Sequence, residues 1–220
     1  MAAPANELEQ RLAHLDAQRG MRAAVEAMLS AWHVAPLRSD EKLLVGQLEP
    51  ILKGRGLGDL RLTGNLSMLR LLDLPALLEL RLPGVSEPRY VALTGMNDER
   101  VQLSIDGEML AVDTALLDHF WFGEAHVLWR DFEALGRTFG TEASGTQVAR
   151  LQRLLARAGV YRGTENGIFD TPTEAAVMEF QRSRLLVPDC RVGRLTRIVL
   201  YGAANAYQRP TLAAAPGARS

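Results

Sequence analysis

The stretch Thr146–Tyr201, TQVARLQRLLARAGVYRGTENGIFDTPTEAAVMEFQRSRLLVPDCRVGRLTRIVLY, decides how the chain is read. Val148, Leu151, Leu154, Leu155 and Ala158 recur at helical spacing, which predicts one apolar stripe on a first helix. Gly159 predicts the end of that helix, because glycine accepts the left-handed conformation just past a helix terminus. Tyr161, Gly163, Asn166 and Gly167 read as a compact turn. Thr171 is the expected N-cap of a second helix, with Pro172 at its first position and Glu174 three residues after the cap. Ala176, Val177 and Phe180 give that helix an apolar face, and Leu186, Val192 and Leu200 close a small core around a third helix.

Leu151-Gln152, Leu155, Gly159, Tyr161, Gly163, Asn166-Gly167, Phe169, Thr173, Ala176-Val177, Phe180-Gln181, Leu186, Asp189, Val192-Gly193, Thr196 and Leu200 together resemble the peptidoglycan-binding domain found beside cell-wall hydrolases. Three positions depart from that pattern. Asn166 stands where the family usually has Asp, Asp170 where it usually has Gly, and Cys190 where it often has Gly.

The 220 residues suffice for one ordinary domain and a small one. With 47% hydrophobic and 23% charged residues the composition is globular. A formal net charge of −1 removes any chain-wide attraction to nucleic acid or anionic membrane. One cysteine, Cys190, excludes an intrachain disulfide and a cysteine-based zinc site. No run of 18 apolar residues predicts a membrane span, and MAAPANELEQ lacks the basic and apolar regions of a signal peptide. A wall-binding chain then implies either a piece of a longer membrane-anchored protein or a removed export signal.

Ahead of the wall-type stretch, Leu8, Leu12, Leu15, Met21, Val25, Met28, Leu29 and Trp32 predict helix over 8–33, broken at Gly20. His14 and His33 read as packing or surface residues. Glu41–Leu52 is expected as a short helix and Gly54–Gly58 as a loop. The run KGRGLGD at 53–59 lacks the terminal Gly-Lys-Ser/Thr of a phosphate loop and reads as a glycine-rich connection. Pro75–Leu82, Arg89–Gly95, Arg100–Ile105, Glu108–Val112 and Ala125–Arg130 are short apolar runs divided by Pro83-Gly84, Asn97-Asp98 and Asp106-Gly107. They predict an antiparallel meander of about five strands. A helix is expected from Asp113 or Thr114 through Phe120.

RYVALTG, RVQLSIDG and LLDHFWFGEAHVLWR resemble the sheet half of the bacteriocin-processing (C39-type) cysteine peptidases. LRLLDLPALLEL and WFGEAHVLWR ahead of a wall-type domain resemble the periplasmic part of the A-component of type II secretion systems, an inner-membrane AAA+ ATPase. The implied fold class is α+β: a papain-like, C39-type antiparallel-sheet domain with an N-terminal helix over 8–135, then a three-helix peptidoglycan-binding domain over 146–205. Residues 136–145 are expected as a linker, because Gly136, Gly140 and Gly145 fall there, and 206–220 as a flexible tail.

The peptidase resemblance places the nucleophilic cysteine near Gly20 and the histidine where Arg89 and Tyr90 stand, while Asp106 falls near the orienting aspartate. Without its partners Asp106 is an Asp-Gly turn, so the domain is expected to be a peptidase fold without activity. His119 and His126 flank Trp121 and Trp129, but no carboxylate stands beside them at zinc-site spacing, so neither metal nor cofactor is expected. Glu165 and Asp170 read as solvated turn residues rather than a glycosidase pair.

A wall ligand offers amides, apolar sugar faces and free carboxylates, and asks for aromatic, amide and cationic groups. Tyr161, Arg162, Asn166, Gln181, Arg182, Arg184 and Arg197 are the expected ligand-binding residues, with Arg191 and Arg194 in the same basic cluster. Phe169 and Phe180 are expected in the core. The partners this implies are peptidoglycan, an inner-membrane secretion-assembly protein and a secretin, in the periplasm; a homo-oligomer is compatible. The arginine cluster would also suit nucleic acid, but it lacks interleaved aromatics, so no nucleic acid is expected as partner. The rival readings are a wall hydrolase or peptidase with an unrecognised site in 8–135, and a protein-interaction module whose wall-type fold has lost wall binding.

Overall fold

The structure is a computed structural model that describes residues 4–44 and 46–212. The described residues divide into two compact units, one running to Leu128 and taking in Arg209–Leu212, the other spanning Trp129–Gln208. The fold class is α+β: the first unit is built on an antiparallel sheet and the second is helical.

In the first unit, α1 (Pro4–His14) and α2 (Ala17–Ala31) are two helices, and the break falls at Leu15-Asp16 rather than at Gly20. Asp16 supplies the reason: its carboxylate accepts the Arg19 N–H at 2.8 Å and starts a new helix, so Gly20 is carried inside the first turns of α2. Gly20, Met21, Ala24, Val25, Met28 and Leu29 form the buried face of α2, which lies against the centre of the sheet. Met21, Val25, Met28 and Leu29 each contribute about 1.5–3 kcal/mol by leaving water.

Six strands make the sheet, in the order β1-β6-β2-β3-β4-β5. They are β1 (Gly58–Thr63), β2 (Ala76–Leu80), β3 (Arg89–Met96), β4 (Arg100–Ile105), β5 (Glu108–Asp113) and β6 (Trp121–Trp129). Strands β2 to β5 follow one another as a meander, with Leu93 opposite Leu103 and Val101 opposite Val112. Asp106 and Gly107, at φ 52° and 87°, make the tight turn between β4 and β5. The expected fifth meander strand instead returns to the far side of β2, pairing Ala76 with Val127 and Leu78 with Ala125. Strand β6 is buried along most of its length, which suits a central position and not an edge. It also starts at Trp121, so the helix expected through Phe120 is only α5 (Thr114–Leu117).

Two elements were not foreseen. Strand β1 grows out of the glycine-rich connection, and α4 (Leu66–Leu72) starts at Asn65, whose side chain accepts the Met68 N–H. Of Glu41–Leu52, only the end is helical, as part of α3 (Glu49–Lys53). The rest is an irregular loop organised by Arg55. That guanidinium donates to the carbonyls of Ala35, Pro36 and Ile51 at 2.7, 2.6 and 2.9 Å, and to both carboxylate oxygens of Glu41 at 3.0 and 2.7 Å. A bidentate pair with every donor engaged fixes a loop that has no ladder of its own.

The second unit holds α6 (Thr146–Arg157), α7 (Thr171–Ser183) and α8 (Arg194–Ala204). Residues 136–145 belong to this unit and are tied into it by bridges from Phe139 to Val192 and from Ser144 to Ile168. Of the tail over 206–220, Tyr207 stacks on Phe132 with ring centroids 4.5 Å apart. Arg209 then bonds to the carboxylate and carbonyl of Asp73 at 2.9 and 2.7 Å, within the first unit. Residues 213–220 lie outside the described residues.

The hydrogen bonds from Arg55 hold the Glu41 carboxyl down, from the ordinary 4.5 to about 2. A carboxylate with a depressed folded pKa stabilises fully above its unfolded pKa and loses that contribution as pH falls through the folded value. Arg55→Met is expected to lower stability by about 2–3 kcal/mol at pH 7. The gap between wild type and variant is expected to shrink between about pH 4.5 and pH 2, as read from urea midpoints across that range.

Candidate functional site

Two buried glutamines build the second unit. Gln152 on α6 directs its amide nitrogen at Asn166 Oδ1 (2.9 Å), the Ile168 carbonyl (3.0 Å) and Thr173 Oγ1 (2.9 Å), and its oxygen accepts the Gly167 N–H at 2.9 Å. Gln181 on α7 repeats the arrangement. Its amide nitrogen meets Asp189 Oδ1 (2.9 Å), the Arg191 carbonyl (3.1 Å) and Thr196 Oγ1 (3.3 Å), and its oxygen accepts the Cys190 N–H at 3.1 Å. The sequence carries the same spacing twice, since Asn166 to Thr173 and Asp189 to Thr196 are each seven residues. That recurrence was the signal for Gln152, Thr173 and Thr196 as framework residues.

The departures from the family pattern fit this frame. Asp170 is the N-cap of α7 in place of the expected Thr171, because its carboxylate reaches the Thr173 N–H and hydroxyl at 3.1 and 2.7 Å. Those bonds, the Thr173 hydroxyl first, hold the Asp170 carboxyl below its usual range. Gly167 and Cys190 occupy equivalent places, at φ 71° and 60°. Only glycine takes that conformation without steric cost.

Three of the expected ligand residues are structural. Gln181 is buried at 1% exposure. Tyr161 is buried, with its hydroxyl donating to the Thr164 carbonyl at 2.7 Å. Arg197, 3% exposed, lies 5.0 Å over the Trp129 ring and donates to Asp131 Oδ2 (2.8 Å) and the Gly136 carbonyl (2.6 Å). Asp131 also receives the Tyr201 hydroxyl and the N–H groups of Leu135 and Gly136. Burial, then the bond to Asp131, pushes the Tyr201 phenol far above its ordinary value. A buried helical arginine paired with a half-buried carboxylate is a packing element, which arginine density along the sequence does not reveal.

Asn166, Arg162, Arg182 and Arg184 are exposed. The Asn166 amide is already engaged, donating to Asp170 Oδ2 and accepting from Gln152 and the Ile168 N–H. Arg184 lies 5.9 Å over Phe180. Arg162 and Arg182 have no ion-pair partner among the described residues. Glu165 pairs with Arg153 at 3.1 Å, and Phe169 and Phe180 are core.

In the first unit, Gly20 lies where the peptidase resemblance puts its nucleophile. A Cβ there would stand 2.8 Å from Leu15 Cδ2 and 3.0 Å from the Tyr90 carbonyl oxygen, closer than side-chain carbons pack. Tyr90 is buried, and Arg89 donates to the Leu12 carbonyl at 3.1 Å. Asp106 pairs with Arg19 at 2.9 Å near the surface. His126 bonds Asp59 at 2.8 Å in the interior, and His119 bonds the Ala115 carbonyl at 2.8 Å.

Residues 144–200 match the family model described as "Putative peptidoglycan binding domain". Over 136 residues the chain is 30% identical to the General secretion pathway protein A of Aeromonas hydrophila, across 62% of this chain and 25% of that protein. The chain thus spans about a quarter of that curated relative's length. Among solved structures it is similar to a periplasmic domain of the EpsAB fusion protein of the Vibrio vulnificus type II secretion system. That likeness covers 88% of this chain and 83% of the other, at 23% identity and a TM-score of 0.55, and is one of fold. A lower likeness, TM-score 0.38 at 17% identity over 53% of this chain and 98% of the other, is to the N-terminal peptidase C39 like domain of the toxin secretion ATP-binding protein from Vibrio parahaemolyticus.

The two glutamine loops generate opposite expectations. Gln152→Leu strands the Gly167 N–H and is expected to lower stability by about 2–3 kcal/mol. Cys190→Gly is expected to raise it by about 0.5–1 kcal/mol, since relief at φ 60° exceeds the chain entropy that glycine adds to the unfolded state. Thermal unfolding of the full chain reads both.

Proposed function

We propose that this chain is a non-catalytic, peptidoglycan-binding part of a type II secretion-like assembly in the periplasm, which it anchors or helps to assemble through the wall. The observation that carries the reading is the family match over 144–200, on a unit whose two interhelical loops are pinned by Gln152 and Gln181. The relative named for the general secretion pathway supports the secretion context. Arg162, Arg182 and Arg184 supply exposed positive charge toward an anionic polymer, and the exposed Asn166 lies in the same turn as Arg162. The antiparallel-sheet unit then serves secretion partners, an inner-membrane assembly protein and a secretin.

The absence of peptidase activity rests on Gly20. The place of a nucleophile is filled by Leu15 and the Tyr90 backbone, and Arg89 and Tyr90 stand where a general base is needed. The interaction-module reading drew on Asp170 and Cys190. Asp170 caps α7 and Cys190 keeps the turn conformation of Gly167, so both departures leave the frame intact and do not indicate a different ligand.

The test is co-sedimentation of the full chain with purified sacculi. Pelleting at low salt that weakens as salt is raised is the expected outcome, because exposed charges are screened. A chain that stays in the supernatant at low salt overturns wall binding and leaves a protein partner as the function of the unit. Peptide fragments released from the sacculi during the same incubation would overturn the non-catalytic reading.

A further inference from the structure

The stretch 136–145 reads as a glycine linker, yet in the structure it forms one wall of a cleft in the second unit. The cleft holds about 250 Å³. That is below the roughly 300–1,000 Å³ of a site for a drug-sized molecule, and suits the end of a short peptide better than a disaccharide. Its polar lining is Arg137, Thr138, Ser144 and Gln147, and its apolar side is Phe139 and Ala143, both partly exposed, backed by the buried Leu135 and Val148. Arg137 is exposed and has no ion-pair partner among the described residues. No carboxylate is among the lining residues, so the cleft is positive and its occupant should be an anion.

The walls are held before any ligand arrives. The Gly145 N–H donates to the Gly167 carbonyl at 2.8 Å, and the Phe169 N–H to the Ala143 carbonyl at 3.0 Å. On the other side, the Val192 N–H donates to the Phe139 carbonyl at 2.8 Å, and Asp131 takes the N–H groups of Leu135 and Gly136. The partner segments 167–169 and 192 flank the loops that Gln152 and Gln181 pin, so the same two amides that stabilise the unit also fix the cleft. A preformed cleft loses little conformational entropy on binding.

Resting on the wall-binding reading, we propose that this cleft takes the C-terminal carboxylate of a peptidoglycan stem peptide. Arg137 holds the carboxylate, Thr138, Ser144 and Gln147 hydrogen-bond the terminal amide, and the small apolar surface of Phe139 and Ala143 receives the methyl groups of terminal alanines. The exposed arginines at 162, 182 and 184 attract the polymer, while the cleft reads its free peptide ends. A protein C-terminus carries the same carboxylate but L-alanine chirality, which gives the test its control.

The experiment titrates the ¹⁵N-labelled full chain with a synthetic stem pentapeptide ending in D-Ala-D-Ala, beside the C-terminal carboxamide and the L-Ala-L-Ala form. The acid is expected to shift the amides of Arg137, Thr138, Ser144 and Gln147. The carboxamide and Arg137→Gln are each expected to weaken binding about tenfold, the effect of one charge-assisted hydrogen bond. Arg137→Gln should leave the melting temperature unchanged, since the side chain is exposed. Shifts confined to the surroundings of Arg162, Arg182 and Arg184, or equal binding of acid and carboxamide, overturn the cleft. Equal binding of the L-Ala-L-Ala peptide overturns the wall stem as its source. Wild-type protein that pellets with sacculi while failing these tests loses only the cleft, whereas failure to pellet removes the wall-binding reading beneath it.

Discussion

A primary amide in a protein interior brings two N–H donors and an oxygen that accepts, and each must be met inside the fold. Gln152 and Gln181 meet that demand with the backbone and side chains of the loop that follows each helix, and with the threonine at the start of the next. A loop has no ladder to hold it, so one buried amide that gathers a backbone N–H, a backbone carbonyl and a threonine hydroxyl replaces several local bonds. The remaining features of the second unit follow from this. Phe169 and Val192 enter the core from those loops, Gly167 and Cys190 take a left-handed turn, and the strand-like stretch at 139–144 bridges to both loops.

Arginine serves three different ends in this chain, and charge alone does not separate them. Arg55 is buried and ties four backbone or carboxylate partners around an irregular loop. Arg197 is buried on α8, over Trp129, with Asp131 as its counter-ion. Arg137, Arg162 and Arg182 are exposed, and they remain available to a ligand. Desolvation makes the difference: a buried guanidinium persists only with a carboxylate and hydrogen-bond acceptors around it, and is then committed to the fold. It follows that a fragment starting after residue 140 leaves Arg197 buried without Asp131, so the second unit begins well before its family match.

In the first unit a helix packs directly on the sheet through a glycine. α2 presses its glycine against the Tyr90 carbonyl and the Leu15 side chain, so helix and β3 approach more closely than a residue with a Cβ permits. Close packing of this kind contributes dispersion and apolar burial.

The periodic apolar stripes at Val148–Leu155 and Ala176–Phe180, the caps, the turn dipeptides and the alternating strands determined the element types and the division into a sheet-bearing and a helical part, because those signals act between residues a few positions apart. The resemblance carried by 151–200 rests on the same short spacings. What the sequence left undecided was set across long distances. The placing of β6 beside β2, the emergence of β1 from a glycine-rich run, and the burial of Arg197 by Asp131 each join residues about 45 to 65 or more positions apart. The stretch 136–145 is the clearest instance. Three glycines make it locally permissive, so nothing in its own residues opposes the reading of a linker, and its bridges to Ile168 and Val192, with the bonds of Gly136 to Asp131 and Arg197, give it a fixed course.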